Sequence, residues 1–583
     1  MTTSLDTFTL LAPELALLAA ALVALLGAAF AGLRSGWLVA ILGIAAAMAL
    51  AGGVPASDTA ITSGPITLDG FSGSLRWLVL VVGGILALVQ SGDLFRSAVT
   101  HGSGLSRGGT CEEAGTFLIL LAGLSLVGVA NDLVLLFVGL ELVSIPTYIL
   151  LALKRTDAAG QEASLKYFFL SLVASALFLY SAVCFYGLGG STNLQAIGGA
   201  LRSADPRIAG MATVLLPVAL GMAMAGAAFR LAAVPMHFYA PDVYQGTSPG
   251  NAALLSTLPK IAGIVVLARV LGLAIQPIGA PGETGPAAQI HLSFLWHLAA
   301  ILAAITMTVG NVMALVQNNL RRLLACSSIA HAGYLLVGIA AAAAAAGTRA
   351  ERPFDGAAAA DTMWTMGLGG MSATLLYVAT YVLATAGVFA AIAYLGHVWP
   401  EWSSGSGPRP PREEIAEVDD LDGLSSTNPV AAFSLAVFLL SLAGIPPLPG
   451  FWGKLTLATA ALEVDWTSPV TLGSRRAWFV ALAVILVLNA AIAAAYYLRL
   501  VAAMYFKTTK KGVQTDGGLA AGIGMLVCLL LVLVLTARPG RLFAPAIRAG
   551  SAATNLLSAG GPSAPVAERG LASTDHRFHE HQP

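Results

Sequence analysis

A chain of 583 residues that is 57% hydrophobic and only 10% charged cannot cover a water-facing globule, whose composition runs to about 25% charged residues. Thirty basic and thirty acidic side chains leave no formal net charge, which removes the electrostatic footprint of a nucleic-acid binder. What remains is a chain whose long apolar runs must face lipid.

Fourteen apolar stretches reach spanning length, with limits near 8–30, 36–55, 72–92, 113–130, 132–153, 162–188, 209–239, 248–275, 293–316, 321–346, 367–397, 429–458, 477–506 and 518–537. Lipid offers the backbone no hydrogen-bond partner, so each is expected to be an α-helix. The alternating ten-residue segments of a β-barrel are not seen in the sequence. The first stretch has no basic leader and no small-residue cleavage site, so it reads as a retained helix rather than a signal peptide. The expected fold class is an all-α membrane protein of about fourteen transmembrane helices.

The connections give an orientation. With the N-terminus outside, Arg34, Arg96, Arg107, Lys154, Arg155, Arg321, Arg322, Arg409, Arg412, Lys507, Lys510 and Lys511 lie inside. Only Arg202, Arg207, Arg349, Arg352, Arg475 and Arg476 then fall in outside loops, with five more arginines after residue 537. The positive-inside bias favours this arrangement, both termini outside a cytoplasmic (inner) membrane. Residues 398–428 are Pro/Gly/Ser-rich and then acidic, an inside loop that lies on a neighbour or stays mobile. Residues 541–583 form a polar tail ending in His576, His579 and His581; its composition reads as disorder rather than as a metal site. The four cysteines are far apart and make no CxxC pair, so no metal, cluster or haem is expected on this chain.

Five ionisable residues stand inside spans: Glu141 in span 5, Lys166 in span 6, Arg230 in span 7, Lys260 in span 8 and Lys454 in span 12. Each costs about 2.5–3.5 kcal/mol to place near the bilayer centre on insertion scales, so each should face protein or water. A single such charge reads equally well as a structural ion pair, and Lys166, near the start of its span, could reach an interface. Five in one chain read as a polar series in which Glu141 pairs with Arg230 or Lys166. Two spans also carry breakers, Pro235 followed by His237 in span 7, and Pro446 and Pro447 in span 12. Proline removes a helical donor, and the freed carbonyls are tolerated at depth only beside protein or water. The base precedes the prolines in span 7 and follows them in span 12, an order that inverted repeats would produce; spans 4–8 and 9–13 are the candidate repeats.

These residues sit in stretches that resemble the antiporter-like membrane subunits of respiratory complex I, subunit N among them. The stretches are LLFVGLELVSIPTYIL around Glu141, EASLKYFF around Lys166, VPMHFYAPDVYQG after span 7, NNLRRLLACSSIAHAGYLL entering span 10 and SLAGIPPLPGFWGK in span 12. Together they cover about residues 10–510. The PDVYQG segment separates subunit N from the L and M subunits and from cation/proton antiporters, which carry a PDA-x-EGP-like version. The resemblance implies two inverted five-helix repeats with broken helices 7 and 12. Its expected divisions are 1–110 (helices 1–3), 111–276 (helices 4–8), 290–508 (helices 9–13), 509–540 (helix 14) and the tail.

The resemblance also implies a proton relay of Glu141, Lys166, Lys260, His331 and Lys454, with His237 as a further candidate. His331 and His237 fit structural, hydrogen-bonded roles as well. Where this family usually has lysine, the chain has Arg230. Arginine keeps its proton under almost any condition, so Arg230 is expected to hold Glu141 ionised rather than to carry. The function implied is proton translocation driven by quinone reduction on other chains. FMN, iron–sulfur clusters and quinone belong to partner subunits, and the partners are other membrane subunits, homologous antiporter-like ones included, within the lipid bilayer. A subunit of a sodium/proton antiporter and a scaffold that has lost transport are the alternatives.

Overall fold

A computed structural model describes residues 4–33, 35–53, 61–92, 109–154, 157–203, 205–274, 286–346, 368–399, 413–466, 468–508 and 512–555. Among them twelve helices are long and apolar enough to cross a membrane, and two shorter apolar helices, Gly36–Gly52 and Pro429–Ala443, accompany them. The twelve fall on stretches read from the sequence, and the other two expected spans, 36–55 and 429–458, hold the shorter helices.

Burial is graded across the bundle. Pro249–Ala274 is buried along its whole span, and Leu320–Ala346 and Gly369–Leu395 nearly so, whereas Ala12–Phe30 and Arg475–Phe506 leave most of their residues unburied by the rest of the chain. A helix that is apolar all round belongs at such a centre. Close packing fixes the centre. Pro286–Leu315 crosses Leu320–Ala346 so tightly that a Cβ on Gly333 would stand 2.4 Å from the Met307 nitrogen, and one on Gly310 2.4 Å from the Ala330 nitrogen. Small residues let membrane helices approach this closely, and here they set the position of His331 between them.

The two expected breaks occur. Pro206–Leu231 stops at Ala232, which is left-handed at φ 55°, and helix resumes at Ala240–Gly246. Pro429–Ala443 stops at Gly444, φ 86°, and resumes at Pro449–Leu462. Pro146, Pro217 and Pro259, by contrast, lie inside continuous helices. At Pro259 the missing N–H leaves the Leu255 carbonyl without its helical donor, one turn before Lys260.

Three features differ from the sequence reading. Short strands occur outside the spans: Ile61–Ser63 pairs with Ile66–Leu68, and Gly396–Trp399 lies between Glu413–Glu414 and Gly512–Thr515, all antiparallel. The acidic part of the 398–428 loop is therefore tied to the chain. Glu414 accepts from Arg321 at 3.0 Å, Asp419 and Asp422 hold Lys507 at 2.9 and 3.2 Å, and Asp420 accepts the backbone N–H groups of Ala416 and Glu417. The tail is also structured at its start. Gly540–Asn555 is a helix with Ala546, Ala549 and Ala553 buried, because its small residues recur on one face while the arginines keep to the other. Residues 400–412, the histidine cluster of 556–583, and Arg34, Arg96, Arg107, Arg155, Arg349 and Arg352 of the orientation count lie outside the described residues.

Candidate functional site

The last carbonyls of a helix have no partner within it and carry the negative end of the helix dipole. Both broken helices turn this end inward, and a lysine meets each. Lys260, 1% exposed, donates from Nζ to the Leu231 carbonyl at 2.6 Å and to the Ser328 carbonyl at 2.7 Å. Lys454, 6% exposed, donates to the Leu442 and Ala443 carbonyls, both at 2.8 Å. The base nearest a break in sequence is thus not always the base that occupies it: Lys260 comes from the next span, whereas Lys454 comes from the resumed half of its own.

His331 stands between the lysines, fully buried. Its Nδ1 lies 2.5 Å from the Tyr377 hydroxyl and its Nε2 3.0 Å from the Tyr497 hydroxyl, which also bonds Ser327. Toward Lys260, the Tyr381 ring packs against the imidazole, tilted by 35° with 4.7 Å between centroids, and its hydroxyl bonds the Ser328 hydroxyl at 2.9 Å. Toward Lys454, the Tyr334 ring packs edge-on against His331 and Tyr377, and the Lys454 ammonium sits 5.0 Å above that ring. Tyr334 is tied through its hydroxyl to Asn311 at 3.2 Å, and Asn311 to Asn489 and Tyr496. A lysine, a hydroxyl pair, an imidazole bonded to two phenols and a second lysine therefore follow one another through the centre of an apolar bundle, with the Tyr381 and Tyr334 rings between the polar groups.

Glu141 and Arg230 lie beside this row. Arg230 is buried and donates from Nη1 to Ser144 Oγ at 2.7 Å and to the Leu140 carbonyl at 3.4 Å, while Nη2 lies 3.9 Å from Glu141. Glu141 also accepts from Ser175, and at 27% exposure it reaches the lateral surface of the chain. The pairing is with Arg230, not with Lys166. Lys166 is 37% exposed and bridges Glu162 at 2.6 Å and Asp242 at 2.5 Å. Asp242 also takes Arg322 at 2.7 Å. Burial opposes ionisation of Asp242, but the hydrogen bonds from Lys166 and Arg322 outweigh it and hold the carboxyl below its usual range. This cluster clamps the short Ala240–Gly246 helix to its neighbours. A clamp whose acid is held ionised contributes above the ordinary carboxyl pKa and is lost as pH falls through the lowered one. Asp242→Asn removes the charge and one of the two acceptor oxygens; the expected result is a loss of about 1 kcal/mol, since these side chains are partly exposed, read as a small drop in the thermal midpoint of the purified protein. His237 lies half-buried past the first break.

The sequence reading missed two buried charge sites. Glu14 and Arg76, 1% and 3% exposed, pair at 2.9 and 3.1 Å, with Ser125 also donating to the carboxylate. Arg269 is buried on the Lys260 helix, donates to the Gly128 carbonyl at 2.6 Å and lies over the Phe71 ring at 5.2 Å. Each lies within a turn or two of an expected span end, where sequence alone places a charge at the interface.

Comparison with known proteins gives concordant results. The family model described as NADH:quinone oxidoreductase/Mrp antiporter, transmembrane, matches residues 130–350 and 359–479. A protein of Paramagnetospirillum magneticum named NADH-quinone oxidoreductase subunit N is 32% identical over 526 residues, 89% of this chain and 90% of that protein. One of the same name from Anaeromyxobacter is 33% identical over 471 residues, 79% of each. Among solved structures, a chain of respiratory complex I from Thermus thermophilus with bound aureothin is 28% identical with TM-score 0.66, covering 92% of this chain and 100% of that one. A chain of the Mrp complex from Dietzia shares the fold, with TM-score 0.67 at 21% identity over 95% and 98% of the two chains.

Proposed function

The chain belongs to the antiporter-like membrane-subunit family of NADH:quinone oxidoreductases and Mrp antiporters, in its NADH-quinone oxidoreductase subunit N group, and from that premise we propose that it translocates protons in the membrane arm of such a complex. Protons pass along Lys260, the Ser328 and Tyr381 hydroxyls, His331 with Tyr377 and Tyr497, and Lys454. Glu141, held by Arg230 and reaching the lateral surface, couples this row to the neighbouring subunit, and Lys166 stands at the edge of the same repeat. FMN, iron–sulfur clusters and quinone are borne by partner subunits, and quinone reduction there drives the transfer. The chain sits in the cytoplasmic membrane with both termini outside.

The observation that carries this reading is the pair of lysines seated on the carbonyls of two broken helices, with the Ser328 and Tyr381 hydroxyls and the His331 imidazole with its two phenols packed between them. An ammonium on such an end can be moved by a nearby charge change without leaving its acceptors. Moving one charge across 100 mV costs about 2.3 kcal/mol, a magnitude that hydrogen bonds to a charged group, about 1.5–3 kcal/mol each, can match. The antiporter alternative shares the fold, but the relatives at 32–33% identity over most of the chain are subunit N proteins, which favours the quinone-linked reading.

Gentle detergent purification tests it: flavin, iron–sulfur proteins and homologous membrane subunits should accompany the chain, and a sodium-dependent pH gradient in vesicles holding it without redox partners would contradict it. Arg230 gives a finer test. Arg230→Gln removes the cation beside Glu141 and should slow pumping about tenfold, the equivalent of ~1.4 kcal/mol, while Arg230→Lys keeps the charge and most of the rate. Unchanged pumping in both variants would remove Arg230 from the coupling.

A further inference from the structure

At one end of the bundle the helix Gly540–Asn555 lies across the first turns of two spans. A Cβ on Gly550 would stand 2.1 Å from Ser372 Oγ, and one on Gly70 3.6 Å from the Ala552 Cβ and the Arg548 carbonyl oxygen. The helix is thus seated on the starts of Gly369–Leu395 and Gly70–Gln90. Beneath it the chain leaves a cavity of about 310 Å³, walled by those two spans and by Gly518–Ala537. That volume falls in the range of small-molecule sites, about 300–1,000 Å³.

The walls define what fits. On one span the lining runs from Phe71 to Val82, and on the next from Leu375 to Leu383. At 1.5 Å per residue these are about 16 and 12 Å of helix. The hydrocarbon core of a bilayer is about 30 Å thick, so the chains of one leaflet reach about 15 Å. The cavity is therefore a slot with the depth of a single acyl chain. Apart from Ser74 and Arg541 its lining is aliphatic or aromatic, so water entering it finds few partners. Trp77 on its wall is 43% exposed and Arg541 at its rim is exposed, which opens the space to the chain's surface.

The rim carries one sign of charge. From Thr536 to Asn555 the chain holds Arg538, Arg541 and Arg548 and no acid. All three are exposed, and among the described residues none pairs with a carboxylate. Arg541 stands one turn after Arg538, its N–H bonding the Arg538 carbonyl at 3.1 Å. A helix with a basic face and a buried apolar face belongs at the lipid headgroup boundary, where each arginine attracts anionic headgroups. We propose that the slot holds one acyl chain of an anionic phospholipid, its phosphate met by Arg538 and Arg541, and that this lipid fastens the Gly540–Asn555 helix to the bundle. No proton transfer enters the proposal, so it stands or falls apart from the relay.

The test uses the whole complex, purified in mild detergent, stripped of loosely held lipid and titrated with phosphatidylglycerol or phosphatidylcholine. Native mass spectrometry counts the lipid retained, and the thermal midpoint is followed alongside. Wild type should keep one phosphatidylglycerol more than Ala379→Phe, which fills the slot. In the double variant Arg538→Gln, Arg541→Gln, affinity for phosphatidylglycerol at this site should fall about thirtyfold, roughly fivefold for each arginine, with phosphatidylcholine affinity unchanged. Phosphatidylglycerol should raise the wild-type midpoint by more than that of either variant. Equal retention and equal midpoints in wild type and Ala379→Phe would overturn the proposal, by showing that lipid does not enter the slot. Equal wild-type affinity for the two lipids, unaltered in the double variant, would overturn the anionic headgroup. If Ala379→Phe fails to assemble, the double variant decides alone, since both of its changes are on exposed side chains. Density for protein or for a neutral isoprenoid in the wild-type slot would overturn the proposal as well.

Discussion

Lys260→Met abolishes proton pumping, to less than about a tenth of the wild-type rate, a loss of at least ~1.4 kcal/mol in the transfer step. Methionine fills the same space without charge, so the Leu231 and Ser328 carbonyls lose their donor, at about 1–3 kcal/mol for each group left unsatisfied. Part of any effect could therefore be structural, and Lys260→Arg separates the two causes. Arginine keeps a cation and several donors at the helix end but does not give up its proton. If Lys260 only closes the broken helix, Lys260→Arg pumps normally; if Lys260 carries protons, Lys260→Arg assembles and fails to pump. The second outcome is expected. Both variants are read by quinone-reductase turnover and by acidification of proteoliposomes in the same preparation.

Arg76→Met destabilises the protein by about 3–5 kcal/mol, because it leaves the Glu14 carboxylate buried without its cation. Arg76 supplies both ends of a two-bond contact to Glu14 and a third bond to the Leu10 carbonyl at 3.1 Å, so the first and third spans and the Ser125 helix lose a common tie. The double variant Glu14→Met, Arg76→Met removes both charges and recovers most of the loss, since an apolar pair of similar volume replaces a buried ion pair at little cost. The amount of assembled protein in membranes and its thermal midpoint in detergent follow both steps. A single variant as stable as wild type would show that the pair contributes nothing to the bundle.

What the sequence disclosed, and what it concealed, follows from the range of the physics involved. The spans were legible because twenty apolar residues have one use. The breaks were legible because Pro235, Pro446 and Pro447 deny the backbone its donors. Lys260 and Lys454 stood out as charges deep within apolar runs. That Lys260 closes the break of a different span was hidden, because an orphan carbonyl names the kind of donor it needs and not its address in the chain. The phenols around His331 were hidden for the same reason: Tyr377 and Tyr497 lie 46 and 166 residues away. Lys166 erred in the other direction. Its helix, Ala158–Gly189, is 32 residues long, more than a bilayer needs, so a position that looked embedded projects toward Asp242. Glu14 and Arg76 sat near span ends, where a charge passes for an interfacial one until packing shows both turned inward. The start of the tail looked disordered because alanine, glycine and serine carry little apolar signal until their spacing is set against a surface.

The account depends on water reaching the groups between the two lysines. A density map of the assembled complex that resolves ordered water tests this directly. Ordered water beside Ser328, Tyr381, His331 and Tyr377, continuous from the Lys260 ammonium to the Lys454 ammonium, is the expected result. A dry gap packed by apolar side chains anywhere between His331 and Lys454 would contradict it.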